Sequence, residues 1–321
     1  MATFPFPMPL GWFGLCFSHE LAAGELRKAR LAGRDLVVFR TESGEACALD
    51  NYCTHLGAAL HQGEVIGEAV RCPFHHWQWN GSGECVDIPY AKKIPAKARM
   101  GSVPVREVNG LVLGWHHPRG DAPHFEPQII DALNDGGVGW GEVHRLEFSL
   151  PTCIQEIAEN DVDHAHFPYV HGSQAFYETE SEFEGPLKKS VSQALPSLDQ
   201  LQGDADPDAE YTMTRYSHGP GCVTVHCTNL QGAGGVKGEF KLFHCATPVE
   251  DDETLVRWSM AVSENIEQDD MGRTILMAMQ EGVKKDIPIW REKVYQPNPT
   301  LCDGDGPIAR NRKWFEQFYV T

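Results

Sequence analysis

Basic side chains are scarce in this chain. Its 321 residues hold 27 Lys and Arg against 45 Asp and Glu, a net charge of −18. No basic patch offsets that excess, so nucleic acid and anionic membrane surfaces are poor partners. The acidic runs Glu178–Glu184, Asp204–Glu210 and Glu250–Glu253 are expected to be solvated surface. Long apolar runs are also missing. Nothing approaches the roughly 18 continuous apolar residues of a spanning helix, so no membrane span is expected. The opening MATFPFPMPLGWFGLCF lacks a basic segment and is broken by Pro and Gly, so it is not expected to be a signal peptide. Ten cysteines show no paired framework, which suits a reducing, cytoplasmic setting. No internal repeat is present. The glycine-rich segment 232–238 (GAGGVKG) has Lys237 where a dinucleotide fingerprint needs its third glycine, and it precedes a strand. Direct use of NAD(P)H is therefore not expected.

The chain does have four soft and borderline metal ligands in two short clusters. Cys53-Thr54-His55 and Cys72-Pro73-Phe74-His75 stand sixteen residues apart, counted from His55 to Cys72. Two Cys on one iron and two His on the other make a Rieske [2Fe–2S] centre. Replacing thiolate by neutral imidazole reduces negative charge at the cluster and lifts its potential to roughly −150 to +300 mV. Gly57 and Pro73 suit the sharp turns that such ligand loops require. A structural zinc site also takes two Cys and two His, but its usual spacing keeps like ligands together. Trp77 and Trp79 are expected as core, and His76 as a neighbour of a ligand rather than a ligand.

Two domains are expected from the length. Short β-rich segments separated by Gly, Asn and Asp turns (35–40, 46–50, 69–71, 78–79, 85–88, 111–115) predict an all-β domain over residues 1–120. The Pro- and Gly-rich stretch 118–141 connects it to a second domain, 121–321. That domain has a helical stretch after Pro151, strands near 210–216, 222–228, 237–244 and 255–263, and a helix over 274–294. Apolar positions Ile275, Met279, Val283, Ile287 and Trp290 mark the inner face of that helix.

His166 and His171 lie five residues apart, slightly more than one helical turn, with Pro168 between them to loosen the helix. Two His and one carboxylate on one face of an iron leave positions open for dioxygen, the arrangement of non-haem Fe(II) oxygenases. Candidate carboxylates on the last long helix are Asp269, Asp270, Glu281, Asp286 and Glu292. Asp286 is preferred, because its segment has an apolar inner face and Pro288 should distort the helix beside it. Asp163, one turn before His166, is placed to accept that ring's N–H. Its alternative is a solvent-facing Asp among Glu159 and Asp161. Asn160 is a further candidate to face the iron. His164 is expected on another, exposed face. The pair His116-His117 has no partner pattern, and one or two of His218, His226 and His244 are candidates to line a pocket.

These residues carry a family resemblance. CTHLG (53–57), CPFHHW (72–77) and N-x-x-D-x-x-H-x-x-x-x-H (160–171) resemble the oxygenase component of Rieske non-haem iron oxygenases. WNGSGECVDIPYAKKIP (79–95), VNGLVLGWHH (108–117), HFPYVHG (166–172) and the tail 286–320 are similar to the branch with bacterial 3-ketosteroid 9α-hydroxylases and animal cholesterol 7-desaturases. The resemblance implies an α+β chain: an all-β Rieske domain, then a helix-grip (START-like) catalytic domain with a curved antiparallel sheet and a long C-terminal helix. It implies Cys53, His55, Cys72 and His75 on the cluster, and His166, His171 and Asp286 on a mononuclear Fe(II). It implies a homotrimer in which His75 hydrogen-bonds Asp163 of the partner subunit. It further implies O2 as co-substrate, NAD(P)H only through a separate flavin and iron–sulfur reductase or ferredoxin, and a hydrophobic, steroid-like substrate to be hydroxylated. Desaturation and hydroxylation of an aromatic molecule are alternatives. So is a Rieske carrier without catalysis, which the long second half and the His166/His171 pair oppose. Residues 173–265 match the branch weakly, and that region should form the pocket.

Overall fold

The computed structural model describes residues 4–134, 137–172, 175–195, 210–231, 236–267 and 270–320. Asp269, most of the acidic run 204–210 and residues 232–235 of the glycine-rich segment lie outside the described residues. The N-terminal part folds into strands β1 (Gly11–Phe17), β2 (Leu26–Leu31), β3 (Arg34–Arg40), β4 (Ala46–Asp50), β5 (Glu64–Ile66), β6 (Ala69–Arg71), β7 (Gln78–Asn80), β8 (Cys85–Asp87), β9 (Ser102–Val103), β10 (Val105–Val108) and β11 (Leu111–His116). They form three antiparallel sheets, in the orders β1-β11-β10, β2-β3-β4-β9 and β5-β6-β7-β8. The last is a small meander whose β6–β7 connection carries Cys72 to His75.

The second part begins with β12 (His144–Leu150) and α1 (Ile154–Asn160), then a single π-turn over Phe167–His171. Strands β13 (Ala175–Glu184), β14 (Leu187–Leu195), β15 (Tyr211–His218), β16 (Cys222–Gln231), β17 (Lys237–Glu250) and β18 (Glu253–Val262) follow as successive hairpins, and β12 closes the sheet beside β18. Helices α2 (Met271–Glu292) and α3 (Ile308–Phe315) complete the chain. Helix α2 packs the expected stripe Ile275, Met279, Val283, Ile287 and Trp290 against Phe240, Leu242, Trp258 and Met260 of the sheet. Burying such apolar faces contributes about 25 cal/mol per Å2 removed from water. The helix runs on through Pro288 to Glu292.

The two parts share a core. Trp12, Phe13 and Leu113 of the first pack with Phe243, Ala246, Phe315 and Phe318 of the second. Buried polar contacts pin β1 to β17 and β18. Gly14 donates its N–H to the Cys245 thiol (3.1 Å), and its carbonyl accepts from Thr247 Oγ1 (2.9 Å) and Arg257 (2.8 Å). The strands β13 and β14 and the helix α3 go beyond the elements expected from the sequence.

Candidate active site

Two loops of matching geometry present the Cys and His side chains of the N-terminal part. In the first, Cys53 N–H bonds the Ala58 carbonyl (2.9 Å) and Gly57 N–H bonds the Cys53 carbonyl (2.8 Å). In the second, Cys72 N–H bonds the Trp77 carbonyl (2.8 Å) and His76 N–H bonds the Cys72 carbonyl (3.1 Å). The fourth residue after each Cys is left-handed, at φ 78° for Gly57 and 60° for His76. That backbone requirement gives His76 a structural role in the turn. A β-branched residue there pays about 1–2 kcal/mol for positive φ. His76→Val should therefore lower the unfolding free energy by about that much, whereas His76→Gly should be neutral or slightly stabilising in denaturant titrations.

The Cys53 and Cys72 thiols are buried side by side, and burial pushes the Cys53 thiol up to about 11. A thiolate in such a place needs a cation beside it. The His55 and His75 rings lie half-buried over them, 4.7 Å apart by centroid. Trp77 stacks on His55 at 4.5 Å and donates its indole N–H to Tyr90 (2.7 Å). The fully buried Trp79 indole finds no acceptor oxygen and lies against the Cys53 thiol. Both tryptophans are core, and both also border the ligand loops. Two thiols, two imidazoles and an unsatisfied donor beside sulfur fit a [2Fe–2S] group with mixed ligation. Exposed Leu56, Phe74 and Tyr90 surround the tip.

In the second part, three donor side chains converge. The Nε2 atoms of His166 and His171 are 3.1 Å apart, and His171 Nε2 is 3.5 Å from an Asp286 carboxylate oxygen. The π-turn explains the first pair, since its hydrogen bonds span five residues and bring positions five apart onto one face. Asp286 projects from α2 with only 4% of its side chain exposed. Burial raises its carboxyl to about 6, and a hydrogen bond from Asn160 Nδ2 (3.4 Å) opposes that rise. Burial also pushes His171 down to about 4 and lowers His166. Neutral imidazoles and one carboxylate brought together at one point suit a divalent metal with open positions.

The remaining candidate carboxylates are elsewhere. Glu281 is exposed and paired with Lys284, Glu292 is exposed, and Asp270 lies at the start of α2 beside His144. The Asp163 carboxylate is 3.8 Å from His166 Nδ1, too far for a hydrogen bond. The Asp163 backbone carbonyl takes that ring N–H instead. His166 is thereby held as the tautomer with Nε2 free to ligate. His164 is buried against Gly306, not exposed, and burial brings its pKa down to about 4. Of the pocket candidates, His244 lines the cavity, while His226 pairs with Glu239.

The acidic residues of α1 are not solvent-facing either. Glu156 pairs with Lys293 (2.5 Å), and Glu159 accepts two bonds from Arg312 (2.9 and 2.8 Å). Asp161 binds Lys188 (3.1 Å) and Arg215 (2.9 Å), which outweigh burial and lower its pKa. Cations from four later segments thus clamp the helix that carries Asn160 and leads to His166. Removing one partner of such a buried pair typically costs about 3–5 kcal/mol. Asn160, His171 and Asp286 open onto a cavity of about 780 Å3 between the sheet and α2, lined by Phe148, Leu242, Val256, Trp258 and Met279 among others. That volume is ample for a drug-sized ligand, whose sites run to about 300–1,000 Å3.

Known proteins share this organisation. The family model described as the Rieske [2Fe-2S] domain matches residues 11–103, and that described as the 3-ketosteroid 9alpha-hydroxylase C-terminal domain matches residues 114–319. A probable 3-ketosteroid-9-alpha-monooxygenase oxygenase component of Rhodococcus rhodochrous is 32% identical over 327 residues, covering 97% of this chain and 79% of that protein. Cholesterol 7-desaturase nvd 1 of Ciona intestinalis is 32% identical over 333 residues, covering 97% of this chain and 69% of that protein. In fold, the chain resembles dicamba monooxygenase bound to dicamba, at TM-score 0.78 and 18% identity over 96% of each chain. This chain belongs to the Rieske non-haem iron oxygenases, as an oxygenase component related to 3-ketosteroid 9-alpha-monooxygenase.

Proposed function

We propose that this protein is the terminal oxygenase of a multicomponent system, hydroxylating a hydrophobic, steroid-like molecule with electrons that a separate NAD(P)H-dependent reductase delivers. The observation that carries this reading is the opening of the His171 and Asp286 side chains onto a large, mainly apolar cavity. The cluster and mononuclear iron of this family supply electron relay and O2 activation, so that one oxygen atom enters a C–H bond and the other leaves as water. Cys53, His55, Cys72 and His75 would hold the cluster, and His166, His171 and Asp286 the mononuclear iron.

The chain's own groups then have distinct tasks. The apolar walls strip water from the substrate and hold the target carbon near His171 and Asp286. Asn160 donates to one Asp286 oxygen and so orients the carboxylate. The Asp163 carbonyl keeps His166 in its ligating tautomer. In a homotrimer, the Asp163 carboxylate would receive the N–H of His75 from a neighbouring subunit. Desaturation is the second reading, favoured by equal 32% identity to the cholesterol 7-desaturase.

The test is a panel of steroids and aromatic acids incubated with the holoenzyme, a surrogate reductase and NADH, followed by mass spectrometry. Gain of one oxygen atom by a steroid is expected, and loss of two hydrogens would replace hydroxylation by desaturation. Turnover confined to aromatic acids would defeat the steroid assignment. With NADH alone no product should form, and robust product there would reveal a nucleotide site in this chain.

A further inference from the structure

The cavity wall is not wholly apolar. Asp161, Lys188, Arg215 and His244 all face it. The first three satisfy one another through the ion pairs already described. Lys188 also donates to Asn311 (3.2 Å), and Arg215 donates to Ser192 (3.0 Å).

His244 differs. The register of β17 and β18 sets it opposite Trp258, whose indole N–H donates to His244 Nδ1 at 2.7 Å. An indole nitrogen can only donate, so Nδ1 is the acceptor and the ring proton sits on Nε2. Burial drives the imidazole down to about 4, so at neutral pH it is uncharged and holds this one tautomer. Asp161 lies near enough to influence that charge but makes no hydrogen bond to the ring. Among the described residues, Nε2–H has no hydrogen-bond partner. The half-buried ring lines the cavity, so a substrate that fills the cavity and offers Nε2–H no acceptor strands that donor, at a cost of about 1–3 kcal/mol. A ligand oxygen removes that cost.

We propose that His244 is a specificity-determining residue, whose Nε2–H donates to a carbonyl-type oxygen of the substrate. The chamber would then select an apolar skeleton with a ketone or carboxylate oxygen at the His244 wall. A skeleton lacking that oxygen leaves the donor stranded, which is the stronger basis for discrimination. The inference rests on the cavity being the substrate chamber and narrows what it accepts.

The experiment measures dissociation constants for the anaerobic ferrous holoenzyme by equilibrium dialysis. The probes are androst-4-ene-3,17-dione, its two analogues each lacking one ketone, and benzoate. His244→Phe should weaken the diketone about tenfold and leave one of the mono-ketones unchanged. That mono-ketone should already bind the wild-type protein about tenfold more weakly than the diketone. His244→Gln, which keeps an N–H donor, should recover part of the loss. Equal weakening of all three steroids by His244→Phe would show that the ring only packs, and no weakening would show that it touches nothing; either result overturns the proposal. If the wild-type protein binds no steroid but binds benzoate in a His244-dependent way, the steroid assignment fails while the donor role stands. Failure of every ketone and carboxylate probe to bind the wild-type protein overturns the donor role as well.

Discussion

Asp163→Ala should leave both metal centres loaded and lower turnover by about 100-fold. The expectation follows from a division of labour within one residue. The Asp163 backbone carbonyl holds the His166 ring proton, so deleting the side chain does not free the ring to adopt the wrong tautomer. The carboxylate is 3.8 Å from that ring, about one third exposed, and makes no hydrogen bond among the described residues. We place its main task outside the subunit, with His75 of a neighbouring copy as the proposed recipient. His75 sits at an exposed tip with Phe74 and Leu56, where another chain can reach it. The decisive measurements are iron content, the visible spectrum of the cluster and single-turnover product yield. Full iron with an intact cluster spectrum and product forming about 100-fold more slowly from a pre-reduced sample is the expected outcome. Normal yield would eliminate the bridge. Loss of mononuclear iron would mean that the carboxylate supports His166 directly.

Much of this was legible in the sequence because the relevant signals are local. Cys53, His55, Cys72 and His75 announce themselves by residue type and order within two short loops. His166 and His171 are five apart, and the π-turn that makes this spacing useful spans the same five residues. The stripe on α2 is periodic, so the face that carries Asp286 could be located even though its partners are over a hundred positions away.

What escaped the sequence is non-local. Glu159 and Asp161 entered only as acidic neighbours of a solvent-facing alternative for Asp163, and Glu156 had no expectation attached. Their cations, Lys293, Arg312, Lys188 and Arg215, are 27 to 153 positions distant, and only the folded chain brings them together. His164 failed for the same reason, since Gly306 covers it from a remote segment. The tautomer of His244 depends on Trp258 across a strand pair, and no spacing rule encodes that contact. Asp163 was expected to reach the His166 ring through its carboxylate, and spacing alone could not tell that group from the backbone carbonyl that does so.

Asp286→Ala should remove the mononuclear iron and abolish turnover while the cluster spectrum persists. Metal analysis should fall from three irons per chain to the two of the cluster. Without Asp286, the site offers two neutral imidazoles and no anion to a divalent cation, in a place where burial penalises uncompensated charge. Asp286→Asn sharpens the test, because the amide keeps the shape and loses only the charge. The sign of the pH effect follows from the raised carboxyl, which lies near 6 in place of the ordinary value near 4. A folded-state pKa above the unfolded one favours the metal-free fold while the group is protonated, and that advantage is lost as pH rises through about 6. Iron needs the opposite, ionised form. Iron affinity should therefore weaken as pH falls below about 6, and in that range binding should release a proton. His171, held near 4, and His166, also lowered, add little proton competition in that window. In Asp286→Asn the metal-free protein should lose the pH dependence that the carboxyl creates between about 4 and 6. Retention of a full complement of iron by either variant would show that another carboxylate completes the site.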